Sequence, residues 1–284
     1  MTVGCCDESS KIDNYTVPLS SSLALRIYSE AKPHNWQIAD LEKGLIIVYK
    51  GVEAVGEGTG FGVPVLVYSD EIYFSGSSQV YLSERNDLKT IRKEFVMDTV
   101  ERRKIGKVNL GNRRLRAIAK YQAELYQKHR LFRYLMPLSV ESLSVKMGVR
   151  NSFLKTTSVG KAIVTFGISQ NHVRVKADLS LLKKNLEKIL ILNEQSAMYF
   201  RRYSDSNGME LIDKQIGGWG KVDAMWASIT DPQGRVGFRL WKVKNSAFCR
   251  GREFLEGCLD WVGLDYEIEP RKATFEYEIE ILGS

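Results

Sequence analysis

GLIIVYKGVEAVGEGTGFGVPVLVYSDEIYFSGSSQVYL, residues 44–82, is the stretch whose reading decides the fold. Three apolar, Tyr-rich runs of strand length are separated there by Gly, Ser and Asp. That is the pattern of consecutive antiparallel strands with tight connections. In the middle lies GEGTGFG, with glycines at 56, 58, 60 and 62. A dinucleotide fingerprint would need its third glycine to open a helix that receives a pyrophosphate. Here the third spacing differs and the strand Val63-Pro64-Val65-Leu66-Val67-Tyr68 follows; the Gly-Lys-Ser/Thr ending of a P-loop is missing too. Alternating glycines then serve close approach of backbone, to a neighbouring strand or to a ligand. Pro64 has no N–H to give, so its strand is expected to begin there or to run along a sheet edge.

Outward from this stretch, Leu23–Tyr28 and Phe95–Val100 continue the β pattern. Residues 1–22 are polar and Ser-rich, and are expected to form a loosely held N-terminal arm. Beyond Gly111 the period changes. Leu115, Ile118, Gln122, Leu125, His129, Phe132 and Met136 recur at spacings of three and four, with Asn112 as N-cap and Pro137 as stop. One long amphipathic helix over residues 112–136 is expected, its outer faces basic with Arg113, Arg114, Arg116, Lys120, Lys128, Arg130 and Arg133. Such a helix either docks on a sheet or binds a polyanion such as nucleic acid, and a non-enzymatic interaction protein is the further alternative. After Pro137 the strand pattern returns and persists. Lys161–Phe166 and His172–Ala177 read as a hairpin, Lys188–Leu192 as a buried strand, and Ala197–Tyr203, Val222–Ile229 and Arg235–Val243 as further strands. The last strand alternates strictly, with Phe275, Tyr277, Ile279 and Ile281 inward and Thr274, Glu276, Glu278 and Glu280 outward.

The 284 residues are 44% hydrophobic and 26% charged, enough for a large core, and no linker or repeat divides them. Residues 23–284 are therefore read as a single mainly-β domain, a large antiparallel two-sheet sandwich. No run approaches the roughly 20 apolar residues of a membrane span. The opening MTVGCCDESS has neither a basic n-region nor an apolar h-region. Four cysteines (5, 6, 249 and 258) and three histidines form neither a disulfide framework nor a zinc spacing. A cytoplasmic protein with reduced thiols, no metal and no cofactor is the expectation. The net charge of +7 admits an anionic partner without requiring one.

Many strands, rich in Trp and Tyr, close with Gly251-Arg252-Glu253, Asp260-Trp-Val-Gly-Leu-Asp-Tyr266 and the Glu-striped last strand. This outline resembles the β-supersandwich of the galactose mutarotase and polysaccharide-lyase class. The resemblance is one of architecture and carries over no catalytic motif. It implies a carbohydrate-active or carbohydrate-binding protein, and an enzyme, if it is one, of mutarotase, glycosidase or lyase type.

The residues point the same way. Asp231-Pro-Gln-Gly234 has a type I turn signature. With Pro232 and Gln233 as the loop, Trp226 faces Arg239, Ala224 faces Trp241 and Ser228 faces Gly237. Met225, Ala227, Ile229, Val236, Phe238 and Leu240 then form the core side. Trp226, Arg239 and Trp241 are the candidate ligand-binding residues. Flat aromatic rings suit the apolar faces of a sugar, and an Arg suits the carboxylate of an acidic one; a Trp–Arg stack holding the structure together is the plainer alternative. For catalysis the candidates are Glu253, Asp260 and His172, within a wider set of carboxylates that includes Glu194, Asp223 and Asp265. Glycoside chemistry needs two such groups, one as acid and one as nucleophile or base.

Overall fold

The computed structural model describes residues 10–29, 41–56, 58–68, 71–85, 88–105, 149–183, 186–255, 259–270 and 273–283. In chain order their strands are β1 (Ser10–Ile12), β2 (Asn14–Pro18), β3 (Leu23–Tyr28), β4 (Ile46–Tyr49), β5 (Val52–Glu53), β6 (Gly60–Val67), β7 (Ile72–Arg85), β8 (Leu88–Ile105), β9 (Val149–Lys155) and β10 (Lys161–Ser169). There follow β11 (His172–Asp178), β12 (Lys188–Ser196), β13 (Arg202–Asp205), β14 (Glu210–Ile212), β15 (Gly220–Lys221), β16 (Trp226–Thr230), β17 (Val236–Trp241), β18 (Ser246–Leu255), β19 (Leu259–Ile268) and β20 (Thr274–Gly283). The only helical element among the described residues is a 3₁₀ turn, Asp213–Ile216. The expected long helix, 112–136, lies outside the described residues. No described helix is long and apolar enough to cross a membrane.

The strands make a large antiparallel sheet of sixteen and a small one of four. The large sheet runs β14-β13-β16-β17-β20-β11-β10-β8-β7-β6-β12-β19-β18-β15, with β1 on β7 and β9 on β8. The small one runs β2-β3-β4-β5. A sheet this wide twists and curls, and here its ends meet. Arg250 of β18 lies over the Tyr203 ring of β13 at 4.9 Å and donates to Ile216 O at 2.6 Å. Tyr266 of β19 donates to Trp241 O of β17 at 2.6 Å. Inside lies one apolar cluster drawn from both sheets, from Leu25 and Ile27 to Phe238 and Ile281.

Period-two alternation places the side chains as expected. Val173, Val175 and Ala177 of β11 are buried, as are Phe275, Tyr277, Ile279 and Ile281 of β20. The N-terminal expectation needs correction. Residues 10–18 are not a loose arm: β1 pairs with β7, β2 pairs with β3, and Val17 is buried. These strands are short and polar, so their own pattern is faint; tertiary pairing makes them.

The small sheet joins the large one at Leu45 and Phe61, which exchange backbone bonds of 3.0 and 2.7 Å. Beneath this seam, fully buried Lys93 of β8 donates to Tyr28 O at 2.7 Å, Lys43 O at 2.7 Å and Glu42 Oε2 at 3.1 Å. All three ammonium donors are used, which is what lets a lysine occupy a core position. Burial pushes it down to about 8, against the pull of Glu42.

The glycine run explains the next seam. Gly62, at φ +77°, is an extra residue of β6 opposite β12, a bulge that only a residue tolerant of the left-handed region makes cheaply. Pro64 lies inside β6, where β12 is the paired neighbour and β7 joins only at Leu66 and Val67; its missing N–H therefore interrupts no second ladder. Across the bulge, Asn193 accepts from Gly62 N at 3.2 Å and Tyr277 Oη at 2.6 Å, and donates to Ile191 O at 3.3 Å and Leu264 O at 3.1 Å. Every polar atom of its side chain is satisfied. Two residues on, Gln195 is equally buried, yet neither of its amide atoms has a protein partner among the described residues.

These neighbouring amides predict opposite outcomes. Asn193→Ala strands a hydroxyl, an N–H and carbonyls inside the core, and should cost roughly 3–5 kcal/mol in urea unfolding. Gln195→Met removes an uncompensated amide and should raise stability by about 1–2 kcal/mol. A lower urea midpoint for Gln195→Met would show that its amide is satisfied in solution.

Candidate functional site

Two corners of the large sheet carry the residues singled out by sequence. The first is the β16–β17 hairpin. Gly234 N donates to Asp231 O at 3.0 Å, the expected type I turn, but the loop is longer than two residues. Gly234 sits at φ +70° and Asp231 N bonds Val236 O at 2.8 Å, so Pro232 to Arg235 form the loop. A type I turn splays two strands if it closes a hairpin alone, and a following left-handed residue restores the twist. The register therefore moves by two. Trp226 faces Trp241 and Ser228 faces Arg239, rather than Trp226 facing Arg239. Met225, expected in the core, is exposed, because β16 begins only at Trp226.

A shift of two leaves each side chain on its own face. Trp226, Arg239 and Trp241 remain together on the outward side, all half-buried, while Ala227, Ile229, Phe238 and Leu240 are buried on the other. The Arg239 guanidinium lies 4.4 Å from the Trp226 ring and donates to Glu280 Oε2 at 3.0 Å. The cross-strand partners continue the row: Ser204 beside Ser228, Arg239 beside Glu280, and Glu280 beside His172. His172, proposed for catalysis, thus stands exposed at the end of this row, apart from Glu253 and Asp260. Asp223 is at the hairpin's open end, paired with Lys242 at 2.9 Å.

The second corner is built by β12, β19 and β18. Register pairs Glu194 with Gly263 and Gly263 with Gly251, Cys249 with Asp265, and Glu253 with Trp261, all on the face opposite the core. The structure brings Glu194, Asp265 and Glu253 into mutual electrostatic contact. Asp260 is elsewhere, held bidentately by Arg252 at 2.9 and 2.7 Å. Trp219, overlooked by the sequence reading, covers the corner. Its ring lies on Gly251, where an added Cβ would meet it at 2.5 Å, and its Nε1 donates to Glu253 at 2.7 Å. The signal for it was Gly217-Gly218-Trp219-Gly220, a large ring set among residues that let backbone pass closely.

The glycine run closes this corner from above. Gly58 lies against the backbone of Glu194 and Gly56 against Ser196, so that a Cβ at either would clash at 2.9 or 2.7 Å. Lys43 Nζ ties the turn with bonds to Gly56 O and Gly58 O at 2.9 and 2.6 Å. Burial, and then the charge of Glu253, push the Glu194 carboxyl up to about 7, against hydrogen bonds from Thr59 and the pull of Lys43. Asp265 is raised by burial and by Glu194, although Asn193 N donates to it at 2.8 Å. Burial also pushes the Cys249 thiol up to about 11, leaving it a poor nucleophile. Among the described residues no group of three or more His, Cys, Asp or Glu is arranged to hold a metal ion. Glu194 and Asp265 are each only 6% exposed, while Glu253 stands exposed beside them. No family model matches the chain, and no curated protein matches it.

The burial of Glu194 has a measurable consequence. Between the unfolded value of 4.5 and the folded value of about 7, the native chain keeps a proton on Glu194 that the unfolded chain releases. Stability contributed by this group is complete below pH 4.5 and is lost as pH rises through 7, by roughly 3 kcal/mol. Glu194→Gln should flatten that slope and be more stable than the parent at pH 8, as read from urea midpoints at pH 5 and pH 8. An unchanged slope would mean that Glu194 is not the titrating group.

Proposed function

We propose that the protein binds carbohydrate on the outward face of β16 and β17. One observation carries this reading: Trp226 and Trp241 stand directly opposite each other on a face that leads to solvent, bordered by the polar row Ser204, Ser228, Arg239, Glu280 and His172. Paired rings offer flat apolar surface, and the row offers both donors and acceptors for hydroxyls. Arg239 already stacks on Trp226 and pairs with Glu280, so its charge is spent within the face. The ligand suited to this face is a neutral sugar rather than an acidic one. The reading is of a binding protein rather than an enzyme, since the buried carboxylates of the glycine-covered corner are not offered to a ligand there. The supersandwich likeness belongs to the same proposal, supported by a large sheet curling on itself with a smaller one across it.

Nucleic-acid or other polyanion binding is the competing reading, and it rests on residues 112–136, outside the described part of the chain. Ionic strength separates the two. Stacking on Trp should be nearly insensitive to salt, whereas contacts from several Lys and Arg lose orders of magnitude between 50 and 200 mM.

On a glycan array followed by calorimetry, Trp241→Ala should weaken binding by about 1–3 kcal/mol, by analogy with stacking of bases on aromatic rings. Its melting point should fall less than the loss of about 3–5 kcal/mol from a fully buried Trp would cause. Binding that survives Trp241→Ala but collapses with salt would transfer the function to the basic segment.

A further inference from the structure

At the far end of the same hairpin, the Asp231–Arg235 loop meets β4 of the small sheet and the turn before β13. Between them lies a cavity of about 170 Å³ walled by Tyr49, Tyr199, Arg201, Gln233 and Arg235. We propose that this cavity is a binding site for a small ring compound carrying one anionic group, a carboxylate or a phosphate.

Three features of the walls lead there. Both tyrosines pack one side against the core and are half-buried, so their rings are rigid flanks for a flat or ring-shaped body. One arginine is aimed by a hydrogen-bonded carboxylate and the other stands beside one that it shares with Arg252. Arg235 Nε donates to Asp231 at 2.9 Å and Arg201 Nε lies 3.6 Å from Asp213. Arg235 Nη2 is held by Gln233 at 2.9 Å. Among the described residues neither Arg235 Nη1 nor the Nη groups of Arg201 have a partner, which leaves donors of the kind that grip carboxylate and phosphate. Of the charged residues that wall the cavity, Arg201 and Arg235 stand against Asp231 alone. The local balance is therefore positive.

Asp231 makes the site a built one. It is only 4% exposed, and its carboxylate accepts from Arg235 N, Arg235 Nε and Val236 N. Burial opposes its ionisation, but these bonds outweigh it and hold the group below its ordinary value. The same residue thus closes the hairpin loop and fixes the guanidinium at the cavity. The volume lies below the roughly 300–1,000 Å³ of drug-sized pockets, so one ring and its charged substituent fit and a nucleotide does not. Met198, 78% exposed, borders the mouth. The larger depression over the 3₁₀ turn, about 530 Å³, has for its arginine Arg252, which Asp260 already holds.

The site rests on the carbohydrate reading only for two of its probes. D-glucuronate, D-glucose 6-phosphate, benzoate and uncharged D-glucose are to be titrated into the full chain and followed by NMR or calorimetry. At least one of the three anions should bind ten-fold or more tightly than glucose. Arg201→Ala and Arg235→Lys should each weaken that binding at least ten-fold. The preference among the three anions tells carboxylate from phosphate. If benzoate alone binds, in an Arg201-dependent way, the site stands and the carbohydrate reading loses support. Arg235→Lys keeps a charge on the loop, and unchanged circular dichroism shows that either variant is folded. Equal affinity for glucose and all three anions, or anion binding that both Arg variants retain in full, would overturn the site.

Discussion

The large sheet depends on one side chain that is not apolar. Asn193 sits where β12 would lose its partners on both sides, opposite the Gly62 bulge on one and across an interrupted rung on the other. Register pairs β12 with β19 at Ile191–Tyr266 and again at Glu194–Gly263, and between those rungs the bonds are made by side chains. Asn193 Nδ2 reaches Leu264 O, and Asp265 Oδ1 takes Asn193 N. The same amide oxygen collects Gly62 N and Tyr277 Oη, so β6, β12, β19 and β20 are pinned at one point. A buried amide is costly when half-satisfied and specifying when complete. Asn193 is the complete case.

Two groups of buried charge lie where the large sheet meets something other than itself. Lys93 and Glu42 lie beneath the seam with the small sheet, and Glu194 and Asp265 beneath the glycine turn. The two seams solve the same problem differently. Lys93 keeps its ammonium by spending every donor on oxygen. Glu194 and Asp265 have fewer donors and a like charge beside them, so burial and that charge push both carboxyls towards the protonated form. Their chemistry follows from crowding and lack of water, which is why raised carboxyls alone do not make this corner a catalytic one.

What could be read in advance was whatever depends on nearest neighbours in sequence. Alternation along β11 and β20 was legible because both strands have one wet face and one dry one. The turn at Asp231 was legible because Asp, Pro and Gly each favour a known torsion. Lys93 was not, since it replaces an apolar residue in the inward row Ile91, Phe95 and Met97, and its acceptors come from residues 28, 42 and 43. Asn193 was hidden for the same reason: its partners are at 62, 264 and 277, and only the fold assembles them. Strands β1 and β2 were missed because each is short and borrows its order from a longer neighbour. Of the proposed carboxylates, Glu194, Glu253 and Asp265 converge while Asp260 faces away, a division set by strand parity and by the pairing of β18 with β19.

The hairpin shows why a wrong register still led to a correct face. Moving the loop from two residues to four changes which residues are opposite, and by an even number leaves every side chain on its original side. A bulge of one residue would have sent Trp226 or Trp241 into the core, and Gly62 shows that this chain does use such bulges. The difference lies in what each strand buries. Along β16 and β17, Ala227, Ile229, Phe238 and Leu240 form a dry row that an odd shift would expose, at roughly 1.5–3 kcal/mol for each large side chain. Hydrophobic parity therefore protects the outward placement of both tryptophans more strongly than the turn does. The pairing that brings them face to face is then left to the loop, and in particular to Gly234 and the carboxylate of Asp231.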